Sequence, residues 1–200
     1  MLKYFHIIKF LITHDLTKLK VHWESELICN KSFKWRRVFR RYRETLNVNK
    51  KYFFWWRLAN EMFSLGNEKE KIIAHKLQSK LISKYNIDIA LGARIGKNFT
   101  IGHNLGIVIT ETAIIGDNVI IRQNTTIGRK TVYVDSDYRE KLYIKIGDNV
   151  DIGANSCIIG DKLTIGNNVK IGAMSFINKD IADNSIVFTK KTTEIKQKTN

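Results

Sequence analysis

An apolar residue recurs every six positions through the second half of the chain, and this repeat constrains the fold more than any other feature. Isoleucine stands at 95 and 101 and again at 109, 115, 121 and 127, and Ile-Gly pairs return at 146, 165 and 171. The first and third residues of each triplet are apolar or small, as in Val119-Ile120-Ile121. A period of two in so short a run indicates a strand with one buried face. Between the triplets, glycine, asparagine and aspartate supply residues that tolerate left-handed corners.

A six-residue repeat of short strands and tight corners is typical of a hexapeptide β-helix, in which successive repeats close a three-sided coil. Each coil hydrogen-bonds to its neighbours and cannot bury its inner residues alone. A β-sandwich is the alternative, but it would need longer strands at less regular spacing. The sequence therefore predicts a mainly β fold, a parallel β-helix preceded by an α-helical region.

The first part of the chain follows a different pattern. Residues 1–86 contain a single glycine, Gly66, and read as helix, with Asn67 as the N-cap of an amphipathic segment. We predict an α-helical region at 1–86, a β-helix domain at 87–189 with an extruded loop at 129–143, and a basic tail at 190–200. The aromatic residues around Trp56 are expected to pack against a helix or a partner subunit, although stacking on a glycan is an alternative.

Composition restricts the setting and the partners. The hydrophobic fraction of 44% and charged fraction of 26% are those of a globular protein, and the formal charge of +15 indicates an anionic partner. No recognised nucleic-acid motif is present, so we expect a membrane surface, an anionic glycan or a phosphorylated cofactor instead. Cys29 and Cys157 lack the spacing of a metal site or disulfide framework, and no apolar run reaches a membrane span. We expect a cytoplasmic protein without a metal, with peripheral contact at the inner face of the membrane as an option.

The repeat is interrupted once within its first coils. The step from Ile101 to Ile109 is eight residues instead of six, and the stretch between them contains His103. From the residues alone, His103 could be a solvated corner side chain or a functional group. The interruption is therefore the first candidate position for a functional site.

Two segments, "GARIGKNFTIGH" with the residues that follow it and "IKIGDNVDIGANSCIIGDKLTIGNNVKIGAMSFI", resemble the serine acetyltransferase family of left-handed β-helix acyltransferases. The resemblance covers roughly residues 86 to 180. It implies a left-handed coil, a homotrimer or larger homo-oligomer, acetyl-CoA as the acyl donor, and transfer of the acetyl group to a hydroxyl oxygen.

The resemblance also implies the catalytic residues. His103 matches the family's general base, and Asp88 in "YNIDIALGARIG" matches the aspartate paired with that base. An alcohol attacks a thioester well only when a base removes its proton, and imidazole suits this task near neutral pH. A carboxylate on the other ring nitrogen fixes the tautomer and stabilises the imidazolium. Alternation predicts that Ile87 and Ile89 point inward and that Asp88 points outward.

The donor site is also implied by the resemblance. Family positions that hold acetyl-CoA through the main chain fall at Gly128, Ala154 and Ala173, and Lys170 is suited to a CoA phosphate. Small residues allow a ligand to approach the backbone, although small side chains could equally serve a tight corner. The family's later Gly-Val-Pro-Ala-Arg segment is absent, since this chain contains no proline.

Three positions depart from the serine-specific pattern and bear on the acceptor. Gly102 replaces an aspartate that contacts the amino acid, and Leu142 and Tyr143 replace an Arg-His pair. We therefore expect a sugar hydroxyl of a capsular or other surface polysaccharide as acceptor, bound by Tyr138, Arg139 and Tyr143. A serine O-acetyltransferase of cysteine biosynthesis is the alternative, and a non-catalytic binding scaffold is a third reading.

Overall fold

The computed structural model describes residues 2–29, 31–131 and 141–190, and within them five helices precede fourteen short strands. The helices are α1 Leu2–Thr13, α2 Thr17–Glu26, α3 Trp35–Glu44, α4 Val48–Leu65 and α5 Glu68–Tyr85. The strands are β1 Ile87–Ile89, β2 Arg94–Ile95, β3 Thr100–Ile101, β4 Ile107–Ile109, β5 Ala113–Ile115, β6 Ile120–Ile121, β7 Thr126–Gly128, β8 Tyr143–Ile146, β9 Asp151–Ile152, β10 Cys157–Ile159, β11 Lys162–Ile165, β12 Lys170–Ile171, β13 Phe176–Ile177 and β14 Ile186–Val187.

The strands form a parallel β-helix with three faces. Face A consists of β1, β4, β7, β10 and β13, face B of β2, β5, β8 and β11, and face C of β3, β6, β9, β12 and β14. All pairings are parallel, and equivalent isoleucines stack in register, as Ile87 does on Ile107 and Ile89 on Ile109. These inward residues are fully buried and form one continuous core. The predicted fold class, a parallel β-helix after a helical region, is confirmed.

An asparagine ladder explains why "GDN" and "GNN" recur at the corner between faces B and C. The ladder asparagines all adopt left-handed backbone conformations, with φ between 56° and 57°, and they are Asn98, Asn118, Asn149, Asn168 and Asn184. Each amide donates to the next, for example Asn98 Nδ2 to Asn118 Oδ1 at 2.9 Å. Asparagine is among the few residues that adopt this conformation readily, so the corner sequence follows from the backbone it must form.

The helical region packs its aromatic residues onto the β-helix. Trp56 and Phe53 of α4 are buried and extend the isoleucine core, which confirms that these aromatic residues are structural. Helix α5 begins as the sequence indicates, since Asn67 caps it and accepts a hydrogen bond from the Glu70 amide, while the Glu70 carboxylate accepts one from the Asn67 amide. This reciprocal arrangement is a capping box.

Side chains of α4 and α5 cover the first coil, whose carbonyl groups have no preceding coil to bond. Trp56 Nε1 and Gln78 Nε2 donate to the carbonyl of Ile89 on face A, at 2.9 and 3.2 Å. Arg57 donates to the carbonyls of Ile95 and Gly96 at face B, at 2.6 and 2.7 Å. On face C, the amide of Asn49 donates to Ile101. The helical region therefore bonds to and covers at least one edge carbonyl on each of the three faces, and an uncovered edge would be a site for pairing with another chain.

Candidate functional site

The enlarged corner at residues 102–106 joins face C of the first coil to face A of the second, and it carries His103. Its backbone is anchored on both sides, because Gly106 N donates to Asn86 O at 3.1 Å and Asn124 N donates to Leu105 O at 2.7 Å. Gly106 has a φ of +64°, and a Cβ there would lie 2.4 Å from Asn124 Oδ1, so only glycine fits. His103 is exposed on this anchored corner. The two additional residues thus present an imidazole to solvent without loosening the coil.

Asp88 lies at the centre of β1, in the coil next to that corner. Its neighbours Ile87 and Ile89 are fully buried, whereas Asp88 is half-buried and directed outward, as alternation predicts. It pairs in register with Val108 of β4, and Asn86, which anchors the corner, is two residues before it. Within the described residues the side chains of Asp88 and His103 make no hydrogen bond to each other. Catalytic hydrogen bonds are often completed only when the substrate binds.

Tyr52 of α4 is a third member of this neighbourhood, and sequence reasoning did not identify it. Its side chain is buried, and burial is the largest cause that raises the pKa of Tyr52 above its ordinary value. A backbone hydrogen bond with Ile89 partly opposes this shift, and the negative charge of Asp88 adds to it. The phenol therefore stays protonated and lies within electrostatic reach of the Asp88 carboxylate.

A groove with a volume of about 480 Å³ contains three of the four residues assigned to the donor site. Ala154, Lys170 and Ala173 all line it, together with Gly153 and Gly172. The tight coil spacing explains Gly153, because a Cβ there would lie 2.3 Å from Ala173 N. Gly128 does not line this groove; it ends β7 on face A, and a Cβ there would meet no atom closer than 3.5 Å.

Charged and aromatic side chains border the same groove. Arg122 forms an ion pair with Asp151, which it contacts through two hydrogen bonds, and Phe188 lies exposed at the other side. Lys170 is exposed on the outer row of face C. The groove thus combines small side chains, which leave room for a ligand, with an exposed ammonium group at Lys170 that can pair with a phosphate.

The residues assigned to the acceptor are placed only in part. Tyr138 and Arg139 lie outside the described residues. Tyr143 begins β8 on the outer row of face B, beside Lys162, and is 37% exposed. A single chain therefore does not place Tyr143 on the face that carries Asp88. Leu142, which replaces a charged residue of the serine-specific pattern, is buried and cannot contact an acceptor.

Two further features concern cofactors and membranes. In the described ranges, no group of three or more histidine, cysteine or acidic side chains is arranged to bind a metal ion. None of the helices described is long and apolar enough to cross a bilayer.

Comparisons with known proteins point to one kind of enzyme. The chain is 38% identical over 125 residues to serine acetyltransferase 3, mitochondrial, of Arabidopsis thaliana, which covers 62% of this chain and 30% of that protein. It is also 38% identical over 125 residues to serine acetyltransferase of Staphylococcus aureus strain Mu50, covering 62% of this chain and 55% of that protein. The chain thus spans about a third to a half of the length of these relatives. No protein-family model matches it.

The solved structures agree with the sequence comparison. Serine acetyltransferase isoform 3 of Entamoeba histolytica, determined in complex with cysteine, superimposes with a TM-score of 0.67 and 27% identity. The match covers 96% of this chain and 64% of that one, so it includes the helical region as well as the β-helix. The similarity supports the acyltransferase assignment. It favours serine acetyltransferases over the polysaccharide O-acetyltransferases that the acceptor residues suggested.

Proposed function

We propose that this chain is an acetyl-CoA-dependent O-acetyltransferase and that its acceptor is L-serine. The observation that carries the proposal is the anchored corner of the β-helix, which presents His103 one strand away from an outward carboxylate, Asp88. The similarity to serine acetyltransferases supports both the reaction and the acceptor. The glycan acceptor expected from Gly102, Leu142 and Tyr143 becomes the second candidate.

The reaction follows from the chemistry of the two side chains. Neutral His103 accepts the proton of the serine hydroxyl while the oxygen attacks the thioester carbonyl of acetyl-CoA. The C–S bond of the tetrahedral intermediate then breaks, and the imidazolium returns its proton to the departing thiolate, which gives O-acetylserine and CoA. Asp88 stabilises the imidazolium and orients the ring. General-base catalysis of this kind contributes about 10²–10⁴-fold to the rate.

The donor is proposed to bind in the groove that Ala154, Lys170 and Ala173 line. The pantetheine arm would lie along the small side chains of the two alanines, and Lys170 would pair with a phosphate. Gly128 remains a weaker candidate, since it lies on another face. We expect a homotrimer in which a neighbouring β-helix closes the groove, and a cytoplasmic location.

The acceptor positions predict how well serine binds. Free serine carries an ammonium and a carboxylate, and hydrogen bonds to charged groups are worth about 1.5–3 kcal/mol each. Gly102 and the buried Leu142 offer no charge. We therefore expect turnover with L-serine at a KM that is high for an amino-acid acceptor, unless Arg139 supplies one of the partners.

The decisive experiment measures acetylated product by mass spectrometry, with acetyl-CoA and either L-serine or a panel of capsular oligosaccharides. Formation of O-acetylserine supports the proposal, whereas transfer to a sugar alone would replace L-serine by the glycan acceptor. Cleavage of acetyl-CoA without an acetylated product from this panel would favour a different acceptor. Absence of any acetyl-CoA cleavage would favour a binding scaffold.

Variants test the assignment of the base. His103→Ala should lower kcat by about 10²–10⁴-fold and leave acetyl-CoA binding intact. His75→Ala, which changes an exposed histidine of α5, is the matched control and should keep full turnover. Near-normal kcat in His103→Ala would show that another group is the base. Asp88→Asn should reduce kcat less, because the base survives without its oriented carboxylate.

A further inference from the structure

Helix α1 is apolar on two faces, and only one of them is buried. Ile7 and Phe10 pack into the helical core. The other face exposes large apolar side chains at helical spacing, with exposed fractions of 57–76%, and these are Tyr4, Phe5, Ile8 and Ile12. Helix α1 is not apolar all round, since Lys9 is exposed on a third, polar side, but its apolar stripe is wider than the part that the core covers. This outer stripe of α1 therefore marks a contact surface.

Helix α5 presents a row of lysines along one side. Lys69, Lys76, Lys80 and Lys84 are exposed, and their spacing of seven and then four residues keeps them on one face. Glu68 and Glu70 lie beside Lys69 in the first turn of α5, but the sequence from Lys71 to Tyr85, which contains Lys76, Lys80 and Lys84, has no aspartate or glutamate. The positive charge of Lys76, Lys80 and Lys84 is therefore not neutralised from within their own helix.

The two rows lie side by side because α1 runs antiparallel to α5. At one end, Tyr4 lines a surface depression together with Lys80 and Lys84. At the other end, His14 Nε2 lies 3.7 Å from the carboxylate of Glu70 in the first turn of α5. The apolar row of α1 and the lysine row of α5 thus lie on neighbouring antiparallel helices and meet at this depression, which Trp55 also lines; the two rows together are called the α1–α5 surface.

We propose that the α1–α5 surface binds the surface of an anionic lipid bilayer. An interfacial helix buries its apolar side chains at the boundary between headgroups and acyl chains, and flanking lysines pair with anionic headgroups. Aromatic residues such as Tyr4 and Phe5 favour this boundary. Contact is peripheral, since none of the helices described could span a bilayer.

Charge decides between a bilayer and a second copy of this chain. In a two-fold contact both copies use the same patch, so the lysine rows of both would be enclosed in a single interface. Helix α1 contains no acidic residue that could pair with them. An anionic lipid surface complements both rows at once. The net charge of +15 acts in the same direction.

The test is co-sedimentation of the full chain with two kinds of vesicle, phosphatidylcholine mixed with phosphatidylglycerol and phosphatidylcholine alone. We expect binding to the anionic vesicles that weakens as salt is added. Ile8→Asp combined with Ile12→Asp, and separately Lys80→Glu combined with Lys84→Glu, should each weaken binding by roughly tenfold or more. Equal binding to both vesicles, or none, would overturn the proposal.

Matched controls place the changes elsewhere on the surface. Ile186→Asp introduces a charge at an isoleucine that is 76% exposed at the far end of the β-helix, and Lys179→Glu reverses an exposed charge there. Both should bind anionic vesicles like the unaltered chain, and vesicle binding equally reduced in these controls would overturn the site. Acetyl transfer without vesicles should be unchanged in the α1 and α5 variants, so failure of this proposal is distinct from failure of the proposed function.

Light scattering separates lipid from self-association. The α1 and α5 variants should keep the assembly mass of the unaltered chain, because the surface is free in the absence of lipid. A lower mass in Ile8→Asp/Ile12→Asp, with normal circular dichroism, would show that a second copy covers the surface and would refute the bilayer.

Discussion

Arg57 is the side chain whose removal should most damage the contact between the two parts of the molecule. It is 4% exposed and pairs with Glu26, itself 9% exposed, through Nη2–Oε1 and Nε–Oε2 distances of 2.6 and 3.2 Å. The same guanidinium donates to the carbonyls of Ile95 and Gly96. Arg57→Met keeps similar bulk but leaves a buried carboxylate and two carbonyls without their partner. Breaking a buried pair in this way costs about 3–5 kcal/mol of unfolding free energy.

The pH dependence of that loss follows from Glu26. Burial raises the pKa of Glu26, and Arg57 is the group that opposes the rise. Loss of Arg57 therefore raises the pKa of Glu26 in the folded protein further above that of the unfolded chain. Stability of the variant is then lost as pH rises above the unfolded pKa, about 4.3. The deficit relative to the unaltered chain should therefore be larger at neutral pH than at about pH 4.5.

Urea unfolding followed by tryptophan fluorescence measures the effect, provided that the transition is two-state. Arg57→Met/Glu26→Leu should regain most of the loss, because both charges are then gone. Arg40→Met is the matched control, because its partner Glu44 lies 3.9 Å away and both side chains are more than half exposed. The unfolding free energy of this variant should change by no more than about 1 kcal/mol. A loss below about 1 kcal/mol in Arg57→Met would refute the claim that this buried pair holds the helices to the coil.

Three shorter predictions concern the rest of the molecule. Burial, reinforced by the charge of Arg57, lowers the pKa of His22 to about 3. As pH falls below about 6.5, His22 therefore binds a proton in the unfolded chain but not in the folded one, and the unfolding free energy should drop. His22→Asn should remove this drop from the pH profile of the unfolding free energy. Asn149→Ala should destabilise the β-helix by about 1–2 kcal/mol more than Asn149→Gly in urea unfolding, since both lose the ladder hydrogen bonds but only alanine is strained at a φ of 57°. Lys170→Ala should raise KM for acetyl-CoA and leave kcat nearly unchanged in steady-state kinetics, whereas Lys179→Ala should change neither.

The sequence was sufficient to predict the β-helix because its repeat is local. Every triplet buries its own first and third residues, and every corner needs residues such as Asn149 that accept a left-handed backbone. Alternation also correctly assigned Asp88 to the outside of β1. The enlarged corner at His103 could be recognised in the sequence for the same reason, because it interrupts the six-residue spacing of the isoleucines.

Contacts between distant segments could not be predicted in this way. Tyr52 approaches Asp88 only because α4 folds back over the first coil, and no spacing in the sequence records that approach. Gly128 shows a second limit. The resemblance assigned it to the donor site, yet it lies outside the groove that contains Ala154 and Ala173. Equivalent positions of the repeat have the same local sequence pattern, but they lie on different faces and coils, and only some of them line the groove.

The position of the candidate site next to the helical region has a physical reason. The first coil of a solenoid has one edge without a neighbour, and such an edge frays unless its carbonyl groups are satisfied. Trp56, Arg57 and Asn49 satisfy one face each. Because β1 is held in this way, the Asp88 side chain keeps a fixed direction even though β1 is the edge strand of its sheet. The corner with His103 is then anchored to Asn86 immediately before that strand. If His103 and Asp88 are the base and its carboxylate, as proposed, they need such a cap, and variants that release the cap should lower kcat without touching either side chain.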